Sequence, residues 1–567
     1  MLSNELEKRL ASLISWGTLG ITLLVTDRVS MDPVNVGKMV LLSVIAGGGF
    51  ALCILKYKDF VLSNKLLSVA ISIFLLFSLA SIFISKSPWE KGFYGTYGRN
   101  TGFLTYVSLS ILFVAAAQFS SISSFKLVIK SLLIAGFINL AYCLYTLLGK
   151  DIFLWSNPYG KILGTFGNPD FISAFLGIFV TALTGLLFSR SVSKTSRFLL
   201  VILIFLSIFA IRKSAAIQGL VLCAFGISLV IFFYIRSKFS KNWIQYSYIG
   251  TIFIIGTLAM LGVLQKGPLA NILYKSSVSY RGEYWQAGIN MGVKNPVSGV
   301  GLDSYGVFYR AYREASAAIS PGVAVVTDTA HNVYIDILAG IGIIGFISYL
   351  IIIALVIKSA IKQFRVGKSY DPVFVILIVS WACYQLQSIV SINQIGLAVW
   401  GWILGGAIIG YSNMPHNSEQ IQKPHQSLKT TQGKRTSKPS LEPISAGLVI
   451  SLFAGSVAGL IIALPPFIAD IKSRPTNSGR TVEQLVAVAK MWPPENIRIS
   501  RIIISLADSQ KYQEAQSLAA EAALKFPKDY VAWFTLYQFA LPDTKEKVAY
   551  SQRLHELDPY NPEFMPK

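Results

Sequence analysis

Residues Val333–Ile357 read VYIDILAGIGIIGFISYLIIIALVI, an apolar run whose one charge is Asp336. Wound as a helix at about 1.5 Å per residue, such a run is longer than the ~30 Å hydrocarbon core of a bilayer. Similar runs precede and follow it. Apolar segments recur at Leu10–Thr26, Val36–Leu55, Leu66–Ser85, Thr101–Ser120, Phe125–Gly149, Phe171–Phe188, Phe198–Ile211, Ala215–Ile235, Ile244–Leu264, Val373–Ser391, Ile395–Tyr411 and Ile444–Ile468. The chain of 567 residues is 53% hydrophobic and 14% charged, too apolar for a soluble protein of this length. The fold class expected is all-α: a polytopic membrane protein of about 12–13 transmembrane helices. The segment from Met1 to Arg9 is charged and no small-residue cleavage site follows, so no cleaved signal peptide is expected.

A net charge of +22 raises nucleic acid as a partner, and its distribution argues against that. From Asp470 to Lys567 there are 13 Lys/Arg against 12 Asp/Glu, so the excess lies in the membrane part. Lys56/Lys58/Lys65, Lys126/Lys130, Arg190/Lys194/Arg197, Arg236/Lys238/Lys241 and Lys358/Lys362/Arg365/Lys368 fall in alternate loops, which the positive-inside rule places in the cytoplasm. The N-terminus shares that side. The loops Lys86–Asn100, Lys150–Asp170 and Gln265–Asn332 then face outward. Cys53, Cys143, Cys223 and Cys383 sit in apolar segments and show no disulfide or metal spacing.

Residues 412–442 are rich in Gln, Ser, Lys and Pro, the composition of a disordered basic cytoplasmic linker. An additional helix at 443–468 would carry the remaining chain, 480–567, to the outside. There Pro493, Pro527 and Pro559 recur at intervals near the tetratricopeptide period, predicting a short α-solenoid of helix hairpins. Such a domain presents a groove to a protein partner, or it is a small helical cap.

His331 is the lone histidine of the membrane part and stands where the longest outer loop meets the helix quoted above. An imidazole exchanges a proton near neutral pH. Around it lie Tyr280-Arg281-Gly282-Glu283-Tyr284-Trp285, then Asn295-Pro296-Val297-Ser298-Gly299-Val300-Gly301-Leu302-Asp303, then Ala330-His331-Asn332, then Ile341-Gly342-Ile343-Ile344-Gly345. Over Ser279–Ser348 this string resembles the O-antigen ligase and polymerase superfamily, with weaker echoes at Gly98-Arg99-Asn100-Thr101-Gly102 and Gly164-Thr165-Phe166-Gly167-Asn168-Pro169.

The resemblance implies a transmembrane domain over 1–411 with its catalytic loop at about 265–332. It implies a membrane enzyme that moves a glycan from a polyprenyl (undecaprenyl) diphosphate to a hydroxyl of a lipid-linked sugar, a polysaccharide or a protein, with inversion. His331 is then the general base, and Arg281 the first candidate for the diphosphate, because a guanidinium meets phosphate oxygens in a bidentate fork. Arg99 and Arg212 are further candidates; Arg212 and Lys213 interrupt an apolar stretch at an outward turn. The chain departs from the family's Ser-Arg-Gly-like element, with Ala215 at the usual arginine position, which leaves Arg212 as a neighbouring substitute. Asn332 orients substrate or caps the helix, and Asp328 is the acid best placed to orient the imidazole, with Asp336 further along. No cofactor and no metal are expected, since the outer acids Asp303, Glu314 and Asp328 form no clustered pattern. Ligase, polymerase and protein O-oligosaccharyltransferase remain open. A flippase of lipid-linked glycans and a scaffold with an inactive membrane part are the rivals from other classes.

Overall fold

The computed structural model describes residues 4–54, 58, 61, 64–84, 88–274, 276–414, 446–475 and 479–565. Each apolar run is a helix. In chain order the helices that matter here are α1 (Asn4–Leu23), α2 (Asn35–Ile54), α3 (Lys65–Ile84), the short α4 (Trp89–Tyr94), α5 (Phe103–Ala117), α6 (Ile122–Leu147), α7 (Pro169–Leu187), α8 (Lys194–Lys213), α9 (Ile217–Lys238) and α10 (Asn242–Val263). They continue with α11 (Ser276–Lys294), α12 (Tyr305–Tyr312), α13 (Val333–Val366), α14 (Pro372–Val390), α15 (Ile395–Ser412) and α16 (Ala446–Ser473). Last come α17 (Val482–Ala489), α18 (Asn496–Asp508), α19 (Tyr512–Lys525), α20 (Tyr530–Phe539) and α21 (Lys545–Leu557). Among the described residues, 11 helices are long and apolar enough to cross a membrane. The protein is a polytopic helical membrane protein.

Local sequence explains where the helices start. Asn168 caps α7 by accepting the Asp170 N–H at 2.8 Å, and Pro169 supplies the first helical position. Asp371 and Pro372 repeat the device on α14. The helix α15 is enclosed on every side, whereas α10 and α16 lie at the periphery. The segment Phe198–Ile211 is longer than its apolar run suggests: α8 carries Arg212 and Lys213 in its last turn.

The helix α13 is broken at Gly342, whose φ of 74° lies in the left-handed region. The break exposes backbone carbonyls that the Pro-x-x-Gly-x-Gly turn then uses. Val300 N–H donates to Ala339 at 2.8 Å, Gly301 N–H to Gly340 at 3.1 Å, and Ile343 N–H to Pro296 at 2.7 Å. A Cβ at Gly342 would lie 2.6 Å from the Pro296 oxygen. The loop 265–332 is thereby bolted to the helix that follows it. That loop is itself largely helical, since α11 and α12 lie inside Gln265–Asn332.

At the opposite end of the bundle sit the basic loops. Arg236 donates to the Phe364 and Gly367 carbonyls and stacks on the Phe364 ring. The buried Glu7 accepts from the Ser120 and Ser121 N–H groups and the Ser124 hydroxyl, closing α1 onto α6. The segment read as a linker, Ser412–Glu442, lies outside the described residues from 415 onward. Helices α17–α21 follow α16 and pack as successive hairpins over a core that includes Ile503, Leu506, Leu518 and Leu536. They rest on the loops 86–100 and 265–332: Lys91 Nζ reaches Asn496 at 3.2 Å, Tyr94 meets Trp492 edge-on, and Asp558 receives both Arg310 and Arg313.

Candidate active site

One end of the bundle holds a cavity of about 750 Å³, walled by the turns after α1, α4, α6 and α14, by the loop before α13 and by the end of α16. Arg99, Asp328 and His331 all line it.

Arg99 sits on a turn between α4 and α5 that needs three left-handed residues, Gly95, Gly98 and Asn100. Asp303 gathers this turn. Its carboxylate accepts the Thr96 N–H at 2.7 Å, the Thr101 N–H at 3.3 Å and the Arg99 guanidinium, while its carbonyl takes the Thr96 hydroxyl at 2.6 Å. Arg99 Nε lies 3.7 Å from Asp328 Oδ2 and has no hydrogen-bond partner among the described residues. Burial works against the charge of Arg99, and the carboxylates of Asp303, Asp328 and Asp336 together hold it above the ordinary arginine range. Arg99 is therefore a fixed cation.

His331 lies at the tip of a self-braced turn, with φ at 52°. Its own N–H donates to Thr329 Oγ1 at 2.7 Å, Thr327 Oγ1 donates to the Thr329 carbonyl at 2.8 Å, and the Ala330 N–H donates to Asp336 Oδ1 at 2.8 Å. Asn332 caps α13, its oxygen taking the Tyr334 and Ile335 N–H groups at 3.0 and 3.2 Å. The imidazole rests against the Tyr284 ring, centroids 5.9 Å apart. Burial, with Arg281 next, pushes the imidazole down to about 4; Asp328 opposes this and Arg99 adds to it. The ring is accordingly neutral at pH 7, the state in which it accepts a proton.

The structure thus brings Arg99, Asp328 and His331 to one cavity. Arg281, one turn before Tyr284 on α11, biases His331 and Tyr284 through its charge and is not among the residues that line the cavity. Arg212 is exposed at the end of α8 and lines no part of the cavity, and Ala215 beside it takes a left-handed φ of 63°. Asn332 has its oxygen occupied by two backbone donors, so of its two readings the cap is the one with a geometry. Asp328 faces Arg99, and among the described residues it makes no hydrogen bond to the imidazole. Asp336 acts one step back, fixing the Ala330 peptide that precedes His331.

Sequence reasoning missed Asp303, which ties the Arg99 turn to the outer loop from 204 positions away. It also missed Lys38, fully buried in α2, which donates to the Thr22 and Thr165 carbonyls at 2.9 and 2.7 Å and so ties the end of α1 to the turn before α7. A lone lysine inside an apolar run was the available signal for Lys38. Asp303 had none, because its partners are backbone amides distant in sequence. Among the described residues no group of three or more His, Cys, Asp or Glu side chains is arranged to hold a metal ion.

Residues 177–350 match the family model described as O-Antigen ligase. The chain carries an O-antigen ligase domain. The matched ligase domain contains Arg212, Arg281, Asp303, Asp328 and His331, while Arg99 and the end of α16 contribute to the cavity from outside it. The match supports a membrane glycan ligase- or polymerase-type function. No curated protein matches the chain.

Proposed function

We propose that this ligase-domain protein transfers a glycan from a polyprenyl diphosphate to an acceptor hydroxyl, with His331 as general base and Arg99 and Arg281 as the cations at the diphosphate. The observation that carries the reading is the shared cavity: a neutral, partly buried imidazole and a fixed guanidinium face the same space at one end of the bundle. The acceptor O–H would give its proton to the imidazole as its oxygen attacks the anomeric carbon. The bond from that carbon to the diphosphate oxygen would break on the opposite face, so the configuration inverts and polyprenyl diphosphate leaves. Negative charge grows on the leaving oxygens, where preorganised cations stabilise the transition state most.

The cavity loops all belong to the set opposite the Lys/Arg-rich loops, which supports a cavity facing outward from the cytoplasmic membrane, with α17–α21 outside and the N-terminus inside. Ligase, polymerase and protein-glycosylating readings differ only in the acceptor.

The test is transfer of glycan from its lipid-linked pool in membranes, comparing wild type with His331→Ala at matched protein level. The expected loss is about 10²–10⁴-fold, the usual worth of a positioned general base. Unchanged transfer would remove His331 from the chemistry.

A further inference from the structure

The helix α16 lies outside the ligase domain, yet it is built into the cavity. It packs on α2 through small residues, so closely that a Cβ at Gly47 would run into the Gly455 carbonyl oxygen and one at Gly459 into that of Ser43. At its far end the buried Asp470 accepts the Met31 and Asp32 N–H groups at 2.8 and 3.0 Å, locking α16 to the turn that walls the cavity. Arg474 follows four residues later and so emerges on the same face. It lines the cavity. Its carbonyl is held by Arg480 Nη2 at 2.6 Å.

The charge balance of the wall singles Arg474 out. Among the described residues lining the cavity, the two arginines are Arg99 and Arg474. Arg99 is matched by Asp303 and Asp328. The Arg474 guanidinium makes no ion pair or hydrogen bond among the described residues. The other acids of the wall are Asp27, Asp32 and Asp170, none of them paired with Arg474: Asp32 accepts from the Val34, Asn35 and Val36 N–H groups, Asp27 from that of Leu154, and Asp170 stands in the first turn of α7. Arg474 also stands where a spanning helix ends, which is headgroup depth. A lipid-linked diphosphate lies at that depth, while the glycan attached to it extends into water.

We propose that Arg474 is a donor-binding residue, supplied to the cavity by the added helix, which engages phosphate oxygens of the polyprenyl diphosphate. This rests on the transfer reading above. A guanidinium with an open fork suits that ligand.

The test uses purified full-length protein and undecaprenyl diphosphate as the probe, with binding read from tryptophan fluorescence, since Trp155 lines the same cavity. Arg474→Gln is expected to weaken binding by about 10- to 100-fold, the worth of a charged hydrogen-bond pair, and Arg474→Lys to recover part of it. In transfer assays the donor KM should rise by a similar factor in Arg474→Gln while the acceptor KM stays in place. A thermal unfolding midpoint equal to wild type shows that the fold is intact. Equal affinity of wild type and Arg474→Gln for the probe overturns the proposal and leaves the transfer reading standing. So does a rise in the acceptor KM in place of the donor KM. Failure of wild type itself to bind undecaprenyl diphosphate overturns both.

Discussion

The imidazole of His331 is held well below its ordinary range, and that sets how activity should follow pH. Unfolded, a histidine titrates near 6.5; folded, this one titrates at about 4. Between those values the unfolded chain binds the extra proton, so this group's contribution to stability is lost as pH falls from about 6.5 toward 4. Donor kcat/KM should stay flat from neutral pH down to about 5 and drop as pH approaches the folded pKa of about 4. Arg281→Gln removes the larger of the two opposing cations and should move that acid limb upward. A bound diphosphate acts in the same direction by cancelling nearby positive charge, so the limb of kcat should lie above that of kcat/KM. A pH–rate profile of wild type and Arg281→Gln with a lipid-linked donor checks both. An unmoved limb in the variant would show that Arg281 does not bias the imidazole, leaving burial with Asp328 and Arg99 to set it.

At this scale the sequence was informative about what stood alone. A single membrane-part histidine could be read because nothing competed with it. The environment of that histidine could not be read, because Asp303, Tyr284 and Arg99 reach it through contacts that cross large separations in the chain. Arg212 shows the converse: a charge in an apolar stretch drew attention, and the fold leaves it exposed at a helix end.

Among the elements, length and apolarity marked all 11 helices that are long and apolar enough to cross a membrane among the described residues, and they also marked α1 and the shorter α5, which are not among those 11. They were not enough for α11. Its residues mix Arg281, Gly282 and Glu283 with Tyr284 and Trp285, so the helix buries one face against α13 and its mean character is that of a loop. The break in α13 was legible as glycines in an apolar run, though not as a docking point. Gly342→Ala tests it: a side chain there meets Pro296 and Val297 backbone at a φ few residues tolerate. We expect a loss of about 1–3 kcal/mol in stability, the usual range for such strain. A lower unfolding midpoint and faster proteolysis of the outer loop would record it. Gly367→Ala, with open space around it, should leave both unchanged.

Across the whole molecule, the membrane part and α17–α21 meet at a buried ion pair. Arg313 and Asp558 are both fully enclosed, Arg310 joins at 2.9 Å, and its guanidinium also covers the Tyr530 ring. Removing one member of such a cluster leaves uncompensated charge and costs roughly 3–5 kcal/mol. Asp558→Asn should therefore loosen α17–α21 from the outer loop, seen as new protease cuts between α16 and α17 and as a lower unfolding midpoint. If the domain stays docked, the aromatic and polar contacts at Lys91, Tyr94 and Tyr97 suffice to hold it.

The distance along the chain between Asp470 and the backbone of Met31 carries a consequence for biogenesis. These partners are 439 positions apart. As the protein is made, the turn after α1 is inserted early and waits for nearly the entire chain before its partner arrives. A product that stops short of α16 contains the complete ligase domain and an unclosed cavity. An interrupted translation therefore yields a membrane protein that is incomplete where substrate would sit.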